Sequence, residues 1–231
     1  MNDPCTDTSS LFKHFSVAVF GSGCVGKATA ENLTRNHIGS VYLICNEKET
    51  SGFHCDHAPA EELTLNSTDP VIHLCPVPFS PEVFSYINLQ CFDYIVDAME
   101  NIEEKLILYR KAASCKIPVV SCMDTAGRID PASIETASLG SCNCYMAQQL
   151  KALSGDAFSD IPVVYSTELP SAPASRFTQH CQHCQCPPST AMSCSHRRIS
   201  SSCNAYVTAM ASMKLAAEVI YSPVSYTHLT L

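Results

Sequence analysis

The chain is short of positive charge. Its 231 residues carry 14 Lys and Arg against 22 Asp and Glu, a formal charge of −8. Binding a phosphate backbone takes clustered Lys and Arg, so a broad nucleic-acid surface is excluded and only a small basic patch stays open. No charge-free apolar run reaches the ~20 residues of a membrane helix. The opening stretch, MNDPCTDTSS, has no apolar signal-peptide core. The expectation is a cytoplasmic protein with no membrane span. There is no internal repeat. Cysteine, by contrast, is plentiful: 15 residues, an odd number, with nothing to direct export. Most therefore read as small buried hydrophobes, and Cys24, Cys45, Cys91 and Cys122 lie in or beside apolar runs. At 46% hydrophobic residues the chain can bury the core of one α/β domain.

The stretch SVAVFGSGCVGKATAENLTRNHIGSVYLICNE, Ser16–Glu47, organises the rest. Ser16–Phe20 is a short apolar run with β-branched residues, the mark of a buried strand. Gly21, Gly23 and Gly26 follow at G-x-G-x-x-G spacing. The first glycine permits a sharp turn, the second lets a phosphate approach the backbone, and the third lets a helix pack on the strand. A helix over about Val25–Arg35 turns its N-terminal amides towards an anion. Val41–Cys45 is a second strand, and Glu47 stands ~20 residues beyond the glycines, where an acid holds a ribose hydroxyl.

Further strands are predicted at Val71–Cys75, Asp93–Met99, Ile117–Cys122 and Pro162–Ser166, with Pro76, Pro78 and Pro81 breaking the chain after the first. Helices are predicted at Ile102–Ser114, Cys144–Leu153 and Asn204–Ile220, the last with Val207, Met210, Met213 and Leu215 inward. Ala60–Leu65 reads as one or two helical turns. Asp130-Pro131 marks a turn ahead of an alternating strand. The alternation of strands and helices points to an α/β, Rossmann-like, doubly wound and mainly parallel sheet with a C-terminal strand, loop and helix extension.

Asp97 and Glu100 fall at the C-terminal end of a strand, the end that faces the ligand crevice in open α/β sheets. Carboxylates there suit a magnesium ion bridging nucleotide phosphates. Lys105, in the first helical turn beyond, is placed to meet a phosphate or an acyl-adenylate; an acidic helix start with a solvated lysine is the plainer alternative. His54, Cys55, Asp56 and His57 lie close together in a polar stretch and read as solvated side chains before metal ligands. Thr167–Ser202 is long and rich in Ser, Pro, Cys and His. Within it Cys181 and Cys184 have the C-x-x-C spacing of half a tetrahedral zinc site, which Cys186 and Cys194 would complete; a cysteine-rich loop without metal is the alternative. His196, Arg197 and Arg198 form its only compact basic spot, able to touch a nucleic-acid phosphate or simply to face solvent.

GSGCVG, the strand ending in Glu47, and IVDAMENIEEK together resemble the ThiF/MoeB/HesA family of nucleotide-binding domains, which is similar to ubiquitin-activating enzymes. KIPVVSCMDTAGRIDPASIETASL, CYMAQQLKAL, IPVVYSTELPSAP and SCNAYVTAMASMKLAAEVI look most like its tRNA threonylcarbamoyladenosine dehydratases. The likeness runs from about Leu11 to Ile220. It implies an enzyme that uses ATP to activate the threonylcarbamoyl carboxylate on a tRNA adenosine, followed by cyclisation with net loss of water, and it implies a homodimer. Gly21, Gly23 and Gly26 would cradle ATP, Glu47 would take the ribose, Glu100 would ligate Mg2+, and Lys105 matches the family's lysine one helical turn on. Asp97 belongs to the same strand tip.

The sequence departs from the family after the second strand. An Asn–Arg–Gln run and a later lysine that face the phosphates are replaced by CNEKETSGFHCDHAPAEE, which has no arginine; Cys45 and Glu100 each stand for an aspartate. Lys48 is the partial substitute. Two alternatives follow: an adenylyltransferase for a ubiquitin-like sulfur carrier, with a sulfur-relay protein partner and structural Zn2+, and a degenerate nucleotide-binding homologue without activity. The expected layout is one nucleotide-binding domain over residues 1–222, with the Cys-rich loop at 167–202. Residues 223–231, PVSYTHLTL, read as a translated sequencing adapter.

Overall fold

The computed structural model describes residues 12–45, 71–77, 87–169 and 204–222. Its strands are β1 (Ser16–Phe20), β2 (Ser40–Cys45), β3 (Val71–Pro76), β4 (Tyr94–Asp97), β5 (Val119–Cys122), β6 (Ile134–Ser138) and β7 (Pro162–Ser166). Its helices are α1 (Cys24–Arg35), α2 (Ile102–Cys115), α3 (Tyr145–Ser154) and α4 (Ala205–Tyr221).

The strands form one sheet in the order β3-β2-β1-β4-β5-β7-β6. Every pairing is parallel except β6 with β7. The chain winds outward from β1 through β2 to β3, then returns to β4 and winds the other way. The order therefore reverses between β1 and β4, and a crevice at that reversal is where such sheets take ligands.

Successive side chains of a strand point to opposite faces. Val17 and Val19 accordingly join a core with Ala30 and Leu33 of α1 and Val207 and Leu215 of α4. Ala18 and Phe20 join a second core with Leu106, Leu108 and Tyr109 of α2 and Ala147 and Leu150 of α3. Asn32 Nδ2 donates to Ser212 Oγ at 3.1 Å, tying α1 to α4.

Local chemistry explains the helix ends. Asn101 caps α2, its Oδ1 accepting from the Glu103 and Glu104 amides at 2.8 and 3.3 Å, and both acids favour the positive end of the helix dipole. Asn204 caps α4 by accepting from the Tyr206 amide at 2.9 Å. α1 differs: its cap is Gly23, with no side-chain bond and no acid in the first turn.

Three expectations need correction. Met213 is not inward; the buried stripe of α4 is Val207, Thr208, Ala211, Ser212, Leu215, Ala216 and Val219, packed on α1 and the sheet, and Met213 is 55% exposed. Cys45 and Cys122 are buried as expected, each closing a strand inside the sheet, but Cys24 is half-buried at the start of a helix and Cys91 is exposed outside the strands. β3 stops at the prolines as expected but one residue later, with Pro76 as its last residue paired with Cys45, which is tolerated because β3 is the last of the described strands on its side of the sheet. The expected turns at Ala60–Leu65 lie outside the described residues.

Candidate nucleotide site

The glycine loop lies between β1 and α1, at the reversal of strand order. Gly21 has φ +106°, a conformation open to glycine, and a Cβ there would stand 2.5 Å from the Ala98 carbonyl oxygen beyond β4. At Gly26 a Cβ would stand 1.9 Å from the Gly21 carbonyl oxygen, so the helix and the turn touch through backbone alone. Gly23 is the opposite case: an added Cβ would meet nothing within 4 Å. Two glycines thus build the loop, and the third leaves open space in front of it. That is the arrangement expected of a phosphate cradle, with helix amides behind it.

The tip of β4 closes the neighbouring wall. Asp97 is fully buried, and its carboxylate is wholly engaged. Oδ1 accepts from the Met99 amide at 3.0 Å. Oδ2 accepts from Lys105 Nζ at 2.8 Å and lies 2.9 Å from Tyr109 OH and 2.7 Å from Ser121 Oγ. Lys105 is also 0% exposed, and its ammonium donates further to Ser121 Oγ at 3.1 Å and to the Cys122 carbonyl at 2.8 Å. This satisfies all three of its protons. Burial and the adjacent Asp97 charge push the Tyr109 phenol well above its ordinary range. The network knits β4, β5 and α2 together under the crevice.

Lys105 reaches this position because it shares the inner stripe of α2 with Leu108, Tyr109 and Ala112, at i, i+3, i+4 and i+7. A lysine on an apolar stripe beside a buried strand aspartate is a legible sign of an internal ion pair. Glu100, by contrast, is exposed in the loop between β4 and α2. Of the two acids at this tip, the geometry leaves Glu100 open to a cation and occupies Asp97 internally.

Two cations on this side of the sheet were not singled out by the sequence. Lys27 is exposed in the first turn of α1, four residues after Gly23 and so on the same helix face. Arg128 lies in the connection from β5 to β6; it is 5% exposed, its Nη1 donates to the Ala126 carbonyl at 3.5 Å, and its buried Nε has no hydrogen-bond partner among the described residues. The signal for Lys27 is its place directly after the third glycine; nothing in the sequence marks Arg128 as buried.

Glu47, Lys48, Cys181, Cys184, Cys186, Cys194, His196, Arg197 and Arg198 lie outside the described residues, as do His54, Cys55, Asp56 and His57. Among the described residues no group of three or more His, Cys, Asp or Glu could hold a metal. A cavity of about 460 Å³ lined by Tyr94, Tyr109, Pro118, Phe158, Glu218 and Tyr221 opens at the other, N-terminal end of the parallel strands, away from the glycine loop. No helix among the described residues is long and apolar enough to cross a membrane.

A doubly wound, mainly parallel sheet with an open-faced glycine loop at its reversal defines a Rossmann-like α/β domain of the class that takes nucleotides there. Within that class the chain is similar to tRNA threonylcarbamoyladenosine dehydratases. It is 26% identical over 148 residues to the Haemophilus influenzae protein of that name, covering 58% of this chain and 56% of the relative. It is 28% identical over 144 residues to the Escherichia coli protein, covering 56% and 53%. The chain spans about half the length of the curated relatives it matches. A crystal structure of the E. coli dehydratase in complex with ATP superposes with a TM-score of 0.66 at 19% identity, over 96% of this chain and 88% of that one. Its complex with AMP gives a TM-score of 0.68. The ThiF/MoeB-type likeness read from the sequence is thus repeated in both sequence and fold. No protein-family model matches the chain.

Proposed function

We propose that this chain binds ATP at the Gly21–Gly26 loop and uses it to activate the carboxylate of a threonylcarbamoyl group on a tRNA adenosine, which then cyclises with net loss of water. The observation that carries this is the open face of Gly23 between two glycines packed on backbone. The dehydratases of similar sequence, and the ATP-bound one of similar fold, support it.

Carboxylate oxygen is a poor leaving group. Attack of that oxygen on the α-phosphorus of ATP expels pyrophosphate and makes an acyl-adenylate. A nucleophile within the same side chain then attacks the acyl carbon, loses its proton, and expels AMP. Such chemistry is served mainly by positioning and by neutralising phosphate charge. The α1 amides would cradle the phosphates, and Glu47 would hold the ribose. Magnesium bound to phosphates typically keeps its waters and needs one or two carboxylates, so Glu100 fits as its protein ligand while the engaged Asp97 does not. When bound, the ion would neutralise phosphate charge. Asp97 and Lys105 act as positioning residues that hold the β4 tip and α2 together.

Lys27 answers part of the missing arginine. Helical side chains lean towards the helix N-terminus, so its ammonium would reach back towards the loop. Arg128 offers the second cation, and Lys48 a third. The remaining features of the proposal are a homodimer, a cytoplasmic location, residues 1–222 as the folded unit, and zinc held by Cys181, Cys184, Cys186 and Cys194. The zinc is checked by metal analysis of protein purified without oxygen.

The deciding experiment uses the full chain. Calorimetry with ATP and Mg2+ is expected to give one saturable site. Incubation with tRNA carrying threonylcarbamoyladenosine is expected to give a nucleoside lighter by one water in mass spectrometry. No ATP binding would leave a degenerate homologue. ATP binding with adenylation of a ubiquitin-like sulfur carrier, and no change in the tRNA, would move the assignment to that class.

A further inference from the structure

The loop between β6 and α3 carries two cysteines that the proposed reaction does not use. Cys142 is fully buried, Cys144 is half-buried, and both are free thiols. Their sulfurs lie 3.5 Å apart, with the Cys142 thiol donating to Cys144 Sγ. Cys144 is also the cap of α3, and its sulfur accepts from the Ala147 amide at 3.4 Å, the place usually filled by a Ser or Asp oxygen. Two donors and a helix N-terminus therefore converge on one sulfur, the setting that favours a thiolate. Lys151 Nζ holds the loop from α3, donating to the Gly140 and Cys142 carbonyls at 3.2 and 2.7 Å.

We propose that Cys142 and Cys144 are a redox-active dithiol that peroxide closes to a reversible disulfide. Cys144 is the attacking sulfur because it is the more accessible and the better supplied with donors. Its thiolate attacks one oxygen of hydrogen peroxide; the S–O bond forms, the O–O bond breaks, and the departing hydroxide takes a proton to become water. Cys142 then attacks the sulfenic sulfur; the S–S bond forms, the S–O bond breaks, and the Cys142 proton leaves with the hydroxyl as a second water. The sulfurs must close from 3.5 Å to a bond of ~2.05 Å, and only the exposed Asn143 separates the two residues.

The electrostatics run the same way. The Cys142 hydrogen bond, followed by the backbone amides of Ala147 and Met146, brings the Cys144 thiol down to about 6, against opposition from burial and from Asp124 in the loop after β5. Donation to Cys144 and burial push Cys142 up, with Lys151 opposing. Cys122 of β5 and Tyr165 of β7 also feel the Cys144 charge.

Trypsin cleaves after Arg128 and Lys151, releasing Ile129–Lys151, whose only cysteines are these two. After brief treatment of the native protein with an equimolar amount of peroxide, that peptide is expected to resist alkylation and to have lost two hydrogens, both effects reversed by dithiothreitol. In Cys142→Ser the Cys144 sulfenic acid is expected to be trapped by dimedone. Without peroxide, the alkylation rate of Cys144 is expected to rise with a midpoint near pH 6, and the midpoint should climb in Cys142→Ala. The proposal is overturned if Ile129–Lys151 still takes two alkyl groups at a peroxide dose that oxidises the exposed Cys91, or if Cys144 titrates as an ordinary thiol.

Discussion

At the scale of single residues, the three loop glycines have different duties, and substitution separates them. Gly23→Ala adds a methyl to open space. It should cost under ~1 kcal/mol of stability, the usual loss when alanine replaces a helix cap. ATP affinity should fall by about tenfold or more, ~1.4 kcal/mol, because the methyl takes the room a phosphate needs. Gly26→Ala instead drives a methyl into the Gly21 carbonyl and should destabilise the fold by about 1–3 kcal/mol. Calorimetry and urea unfolding on both variants check the pair; equal ATP affinity in Gly23→Ala would remove the cradle. Lys105→Met tests the pair beneath the crevice. It leaves the buried Asp97 carboxylate without its cation and should cost ~3–5 kcal/mol in urea unfolding, whereas changing both residues together to apolar ones should cost less than the two single losses combined. The sequence placed both residues at the strand tip and first turn, but their mutual burial follows from α2 lying flat on β4 and β5.

At the scale of elements, the strands and helices were largely legible because each carries its own period. β1 and β7 have the predicted limits, and the helices differ from expectation by a residue or two at their ends. Caps account for those differences: Asn204 and Cys144 read as first helical residues, yet each folds as the cap ahead of its helix. α4 is the instructive failure. It is apolar on most sides, so its period does not say which stripe meets the sheet, and Met213 was placed inward. Packing against α1 and the sheet turns the helix so that Leu215 is fully buried and Met213 is exposed. Leu215→Ala should therefore cost about 2–5 kcal/mol, and Met213→Ala no more than about 0.5 kcal/mol. Thermal unfolding of the two variants would reverse this order if α4 were rotated.

At the scale of the whole molecule, a ligand that binds only the folded chain must stabilise it. ATP with Mg2+ at one hundred times its dissociation constant should add about 2.7 kcal/mol, a rise in Tm of roughly 5–10 °C for a chain of this size. Chelating the metal should remove part of that rise, and Gly23→Ala should remove most of it at the same concentration. A thermal scan in which ATP leaves Tm unmoved would count against the nucleotide site. The sequence by itself determined the doubly wound sheet, the loop that faces its crevice and the likeness to the dehydratases, since strand period, glycine spacing and strand–helix alternation are all local in the chain. Only the tertiary structure decided that Asp97 is spent on Lys105, that Arg128 is buried, and that Cys142 and Cys144 share a hydrogen bond. Those facts depend on which faces of separate elements are pressed together, and distance across a fold is not written in spacing along it.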